Sequence, residues 1–225
     1  MTQPDVAARV AVVRGRITDA AQRAGRDPAS VCLVAATKTV APERIAMALD
    51  AGVHDVGENR AQELLAKAPA LAARSSPPRW HFLGHLQRNK VGALAPWVVC
   101  WQSVDRVELG ETMRRRAPGA RVLVEVNLAN EPQKAGCPPD GVAPLVEALR
   151  ALGLDVRGLM TVPPHDAEPR RWFAALRDLS DPLALAELSM GMTDDFEVAI
   201  EEGATIVRVG RALFGPRPEP TAPPT

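Results

Sequence analysis

No tyrosine occurs anywhere in these 225 residues. Any chemistry that requires a phenol as acid, base or donor is therefore excluded. Cysteine is scarce. Cys32, Cys100 and Cys137 are odd in number, far apart and form no CxxC, which excludes a disulfide framework and argues against zinc. The same usage fits a reducing cytoplasm. The four histidines, His54, His81, His85 and His165, show no HExxH or related spacing, so no metal centre is expected. Charge of one sign is missing too. Lys plus Arg number 27 and Asp plus Glu number 27, for a net charge of zero and a pI near 6.9. A nucleic-acid partner is not expected from a chain without a basic excess. The longest apolar run, VGALAPWVVCW, is too short to span a bilayer and is interrupted by Pro96, so no membrane association is expected. Asp5, Arg9 and Arg14 lie within a helical pattern, which is unlike a signal peptide. A cytoplasmic protein is the expectation.

What is present is a rhythm. Val6, Val10, Val13, Ile17, Ala20 and Ala24 recur at helical spacing, with Gly25 as a C-terminal cap and Pro28 as a stop. Apolar runs and helical patterns then alternate. VCLVAAT reads as a strand and APERIAMALDAG as a helix with Pro42 near its start. The further strands are VHDVGE, RWHFLG, WVVCWQSV, RVLVEVNLA, LDVRGLMTV, LALAELSM and ATIVRVG. Helical patterns follow each, including one from about Leu86 and a last short one, RALFG. Eight strand–helix units imply right-handed crossovers and a parallel sheet. The count predicts a single α/β domain over 1–215, a (β/α)8 TIM barrel with an extra N-terminal helix. The rival open, doubly wound sheet lacks a GxGxxG or GxxxxGK[ST] after its first strand. The Pro-rich segment 216–225 cannot build a core and is expected to be a disordered tail.

In such a barrel chemistry gathers at the C-terminal ends of the strands. Lys38 ends the first strand, Glu58 and Asn59 the second, Ser103 the fourth, Asn127 the fifth, Ser189 and Gly191 the seventh, and Arg208 and Gly210 the eighth. All are expected at one mouth. The loops LSMGMT and RVGRALFG supply glycines and a helix start where barrels commonly hold phosphate. Arg208 lies in an otherwise apolar strand and needs an acceptor. An anion site, an amine and a placed arginine together suggest pyridoxal 5′-phosphate (PLP) held as a Schiff base on Lys38.

The blocks VAATKTV, GENRAQE, WHFLGHLQRNK, GLMTVPP and LSMGMTDDFEVAIEEGATIVRVGRALFG resemble the YggS/PROSC family of pyridoxal phosphate homeostasis proteins, from about residue 6 to 215. The resemblance implies a barrel like the N-terminal domain of alanine racemase, without that enzyme's second domain. It implies Lys38 as the attachment lysine and Asn59 at the cofactor's edge. It also implies Arg208 facing the pyridine nitrogen, with Ser189, Gly191, Gly210 and the Arg211 backbone on the phosphate. Arg60 departs from the family pattern, which has an aromatic there.

Other readings of the same residues stand beside these. Asn59 and Gln62 fit a capping box, Arg208 could pair with Glu125, and Thr193, Asp194 and Asp195 fit caps of the next helix. The function expected is PLP binding, homeostasis and delivery to apo-enzymes, without catalysis, by a monomer. The alternative is a small PLP-dependent racemase. That reaction needs a base on each face, and with Tyr absent Cys137 is the candidate for the second. Lys134, in the loop after the fifth strand, is a candidate second amine for cofactor release.

Overall fold

The computed structural model describes residues 5–164 and 168–216. His165 and all but Pro216 of the expected tail lie outside them. Strands β1 (Cys32–Ala36), β2 (Asp55–Glu58), β3 (Arg79–Phe82), β4 (Val98–Val104), β5 (Arg121–Glu125), β6 (Asp155–Met160), β7 (Glu187–Ser189) and β8 (Ile206–Val209) form one closed parallel barrel. They follow in chain order, and β8 pairs back onto β1 with Val34 beside Arg208. The expected (β/α)8 architecture is the one observed. The apolar runs become strands because both faces are covered, one by helices and one by the barrel's own interior.

The helices are α1 (Val6–Arg23), α2 (Pro42–Asp50), α3 (Ala61–Ala72), α4 (Val91–Leu94), α5 (Val107–Arg116), α6 (Val142–Ala151), α7 (Pro169–Ser180), α8 (Phe196–Glu201) and α9 (Arg211–Phe214). The helix expected from Leu86 is shorter than its pattern. A 3₁₀ turn over Arg88–Lys90 leads into the single turn of α4. Its cap, Ala95, is still helical, and Pro96 after it has no N–H with which to carry the helix on. Strand β7 is likewise reduced to three residues. Pro182 sits in a 3₁₀ turn before it, and Ala184 takes φ +50°.

Helix α1 has a structural job that its label as an extra element conceals. The helix after β8, α9, has only four residues and cannot cover its strand. Helix α1 lies against α8, α9 and α2 and so fills the eighth place in the outer ring. Val6, Val10, Val13, Ile17, Ala20 and Ala21 form its buried stripe. Each buried Val or Ile is worth roughly 1.5–3 kcal/mol. Arg16 fixes the register with two hydrogen bonds to Glu197 on α8, at 3.0 and 2.8 Å, and stacks 4.5 Å over Phe196.

Two apolar layers result. The large one lies between strands and helices. The small one, inside the barrel, is Val34, Cys100, Leu123, Met160 and Ile206, edged by Cys32. The interior also holds the polar side chains of His81, Gln102, Ser189 and Arg208. At the N-terminal end Arg79 pairs with Asp55 and Arg121 with Glu187, at 2.5 and 2.7 Å, which closes the floor.

Truncating Leu123, fully buried in that small interior cluster, is expected to cost about 2–5 kcal/mol of unfolding free energy. Urea unfolding of Leu123→Ala measures it. A loss well under 1 kcal/mol would mean the interior is not closely packed there.

Candidate functional site

Side chains alternate along a strand, so parity decides what enters the barrel. On β8 the inward parity carries Ile206 and Arg208. Arg208 is 5% exposed. Its Nη1 donates to Ser189 Oγ at 2.7 Å and its Nη2 to the Thr161 carbonyl at 2.8 Å. Burial lowers its pKa to about 10, against the opposing pull of Glu125 and Asp195, so it stays charged at neutral pH. The expected alternative pairing with Glu125 is not a direct bond: Arg208 spends its near contacts on Ser189 and Thr161, and Glu125 acts on it through space.

The hydrogen bonds continue across the barrel. Ser189 Oγ donates to Gln102 Oε1 at 2.6 Å. The Gln102 amide donates to His81 Nδ1 at 2.8 Å, which leaves the proton on His81 Nε2 to be donated to Asp55 Oδ1 at 3.1 Å. Burial opposes ionisation of Asp55, but Arg79 and His81 together hold its carboxyl well below the usual range. Every donor in the chain points from the Arg208 cation toward the Asp55 anion.

The mouth lies above this chain. Lys38 follows β1 in a turn from Thr37 to Val40, and it shares the inward parity of Cys32 and Val34. Strands β7, β8 and β1 are neighbours. Lys38, Gly210 and Gly191 therefore occupy one contiguous sector of the rim, with Arg208 and Ser189 buried beneath it. Gly191 has φ +90°, and a Cβ there would come within 2.6 Å of Ala199 Cβ and 2.8 Å of Phe196 Cα. At Gly210 a Cβ would stand 3.2 Å from the Ala36 carbonyl oxygen. Both glycines bring bare backbone to the mouth. Arg211 opens α9 and its side chain is exposed, paired with Asp194. The Ala212 N–H donates weakly to Thr193 Oγ1 at 3.4 Å, so the loops after β7 and β8 are joined.

Several expected positions turn elsewhere. Ser103 does not enter the mouth: its hydroxyl donates to the Gly84 carbonyl at 2.5 Å, and its neighbour Gln102 takes the inward place. Glu58 faces α3, where Lys67 Nζ lies 2.7 Å from its Oε1. Asn127 braces the loop after β5, accepting from the Glu131 N–H at 3.1 Å and donating to the Glu131 carbonyl at 2.8 Å. Asn59 is not a helix cap. The N-cap of α3 is Arg60, which is exposed and makes no side-chain cap bond. Asn59 lies in the bend between β2, which ends at Glu58, and α3, and its carbonyl passes so close to Gly84 that a Cβ there would be 2.0 Å away. Its half-buried side chain is thus left at the rim after β2. Asp195 does stand at the N-cap of α8, yet its carboxylate accepts from the Met192 N–H at 2.6 Å rather than from the helix.

Two inward groups were not singled out as site residues from the sequence. Gln102 carries the same signal as Arg208, a polar residue inside an apolar strand. Glu125 ends β5, across the barrel from Lys38. It lines a cavity of about 150 Å³ with Val126, Asn127, Lys134, Ala135 and Val162. Its Oε2 is buried without a hydrogen-bond partner. Burial, with a smaller push from Asp105, raises its pKa to about 7 despite Arg208. Cys137 is buried and its thiol is pushed up to about 12 by desolvation. Lys134 is tied to Glu131 at 2.5 Å. Among the described residues no cluster of His, Cys, Asp or Glu could hold a metal ion, and no helix is long and apolar enough to cross a membrane.

Comparison with known proteins adds independent findings. Residues 12–218 match the family model described as alanine racemase, N-terminal domain. The chain is 43% identical to the pyridoxal phosphate homeostasis protein of Pseudomonas aeruginosa, over 94% of this chain and 96% of the relative. It is 44% identical to the protein of the same name from Aquifex aeolicus, over 93% and 97%. Among solved structures it resembles PipY of Synechococcus elongatus with PLP bound, with a TM-score of 0.80 and 32% identity, over 93% of this chain and 100% of that one.

Glu125 gives a pH signature. Its folded pKa lies above the ordinary value, so its contribution to stability is full below about pH 4.5 and is lost as pH rises through about 7. Glu125→Gln is expected to stabilise the cofactor-free protein at pH 8 by roughly 3 kcal/mol, with the gain fading toward pH 4.5. Urea unfolding across that range checks it, and a gain independent of pH would contradict the assignment.

Proposed function

This chain belongs to the family of pyridoxal phosphate homeostasis proteins built on the alanine racemase N-terminal barrel, and on that premise we propose that it binds PLP reversibly as a Schiff base on Lys38. It serves the supply of the cofactor, with delivery to apo-enzymes, and does not turn over a substrate. The observation that carries the reading is the single rim sector formed by β7, β8 and β1, with an amine, a buried guanidinium and two bare-backbone glycines side by side. The donor set fits the group: main-chain N–H groups for its anion, an amine for its aldehyde, and a guanidinium for its ring nitrogen.

When bound, PLP supplies an aldehyde that condenses reversibly with an amine and a conjugated ring that can accept electrons. Gly191, Gly210 and the Arg211 backbone would hold the phosphate. Ser189, with its hydroxyl committed to Gln102 and Arg208, supports that end from below as well as bordering it. Asn59 would line the ring's edge. Arg208 is held in place by Ser189 and Thr161. A guanidinium facing the ring nitrogen disfavours its protonation, because like charges repel. The ring is then a weak electron sink, which suits a carrier.

Other residues support the same conclusion. Lys67 is buried among carboxylates, and Lys134 is paired with Glu131. Cys137, the sequence's candidate for a racemase's second base, has a thiol at about 12 and is a poor base at neutral pH. The observation that favours a racemase instead is Glu125, a carboxyl at about 7 across the mouth from Lys38. Turnover decides between the two. A cytoplasmic monomer completes the proposal.

The purified protein incubated with PLP is expected to show a visible absorbance that borohydride bleaches, with the reduced label on Lys38 by peptide mapping. Lys38→Ala should lose both. A main label on Lys67, Lys90 or Lys134 would overturn the assignment. Racemisation or transamination with a kcat in the ordinary range of roughly 1–10³ per second would establish the enzyme instead.

A further inference from the structure

The turn that carries Lys38 is strained, and the strain is held from outside the mouth. Thr37 and Val40 close the turn, with the Val40 N–H donating to the Thr37 carbonyl at 2.9 Å. Thr39 stands third in it with φ +65°. Turns with a left-handed third residue ordinarily take Gly or Asn there, and for a β-branched residue the conformation is unusual. Such strain persists only where neighbours over-determine it.

The neighbours are one ion-pair cluster on α3. Lys67 is 8% exposed. Its Nζ donates to the Thr37 carbonyl at 2.9 Å, to Glu58 Oε1 at 2.7 Å and to Glu63 Oε2 at 2.9 Å. That same Glu63 oxygen accepts from the Thr39 N–H at 2.7 Å. Thr37 Oγ1 donates to Glu58 Oε1 at 2.7 Å. The residues on both sides of Lys38 are thus gripped by one cation and its carboxylates. Glu63 stands at the third position of α3, where a capping box would turn it to the helix's own N-terminus, but its carboxylate goes to the turn instead.

We propose that Lys67 and Glu63 are positioning residues for Lys38, holding the strained turn so that its amine meets the cofactor. The inference rests on the reading of Lys38 as the attachment residue. The clamp touches neither the phosphate loops nor Arg208, so it acts on the covalent bond. Its loss should leave the phosphate's hold in place and weaken attachment.

The test uses Lys67→Met, Glu63→Gln, Thr39→Gly and the double variant Glu63→Gln/Thr39→Gly. Three readouts are compared: the affinity for PLP from visible absorbance, the fraction trapped by borohydride, and hydrogen exchange of segment 37–40 in cofactor-free protein. Glu63→Gln is expected to weaken PLP binding about tenfold, or about 1.4 kcal/mol, and to speed exchange of that segment. Glycine removes the strain, so adding Thr39→Gly should restore affinity to within threefold of wild type. Lys67→Met should weaken binding more, and if it fails to fold the Glu63 pair decides. Wild-type affinity and exchange in Glu63→Gln would overturn the proposal. So would a loss that Thr39→Gly does not rescue, which would mark a general structural role. A wild type that forms no adduct on Lys38 would overturn the reading of the site, and exchange alone would then decide whether the clamp holds the turn.

Discussion

A guanidinium inside a barrel must have acceptors supplied by the barrel, because an unpaired charge there costs several kcal/mol. Arg208 takes Ser189 from β7 and the Thr161 carbonyl beyond β6. Ser189 then needs Gln102 of β4, Gln102 needs His81 of β3, and His81 needs Asp55 of β2. One buried cation thereby ties strands from most of the barrel into a single chain of donors that ends on an anion. A slip of one residue in any of these strands would turn its member outward and leave its partner unpaired. The interior apolar cluster is small for the same reason: the chain that fixes Arg208 shares the barrel interior with it and runs down to Asp55 at the floor.

The outer ring serves the mouth in a different way. The short α9 leaves little structure between the end of β8 and the surface, and the loops after β7 and β8 are joined there through Asp194 with Arg211 and Thr193 with Ala212. The apolar stripe of α1 replaces the cover that a full eighth helix would give. Covering the barrel wall and shaping the rim after β8 are therefore assigned to different parts of the chain, which frees Gly210 and Arg211 from a packing role over β8.

Much of this was legible because it is local. The strands announce themselves as apolar runs, and Lys38 and Arg208 stand out by interrupting or ending such runs. Gln102 carries the same signal within WVVCWQSV, but the strand's end points to Ser103 for the mouth. Parity decided otherwise. Asn59 shows the opposite fault. NRAQ matches a capping box as text, yet Asn59 lies in the bend after β2 with its carbonyl against Gly84, and the helix begins one residue later. Glu63, the true third residue of that helix, is claimed by the turn of Lys38.

The sequence by itself determined the eight strand–helix units, their parallel order, the first stripe of α1, and the two charged residues that end or enter apolar strands. These follow from periodicity and from the cost of burying charge, which any short window of residues displays. Only the tertiary structure decided which polar groups meet. Gln102 and Ser189 are 87 residues apart and Lys67 and Thr37 are 30 apart, and nothing within either segment specifies the other. Closure of the barrel sets those pairs, because a buried donor must take whichever acceptor the neighbouring strand or helix brings within about 3 Å.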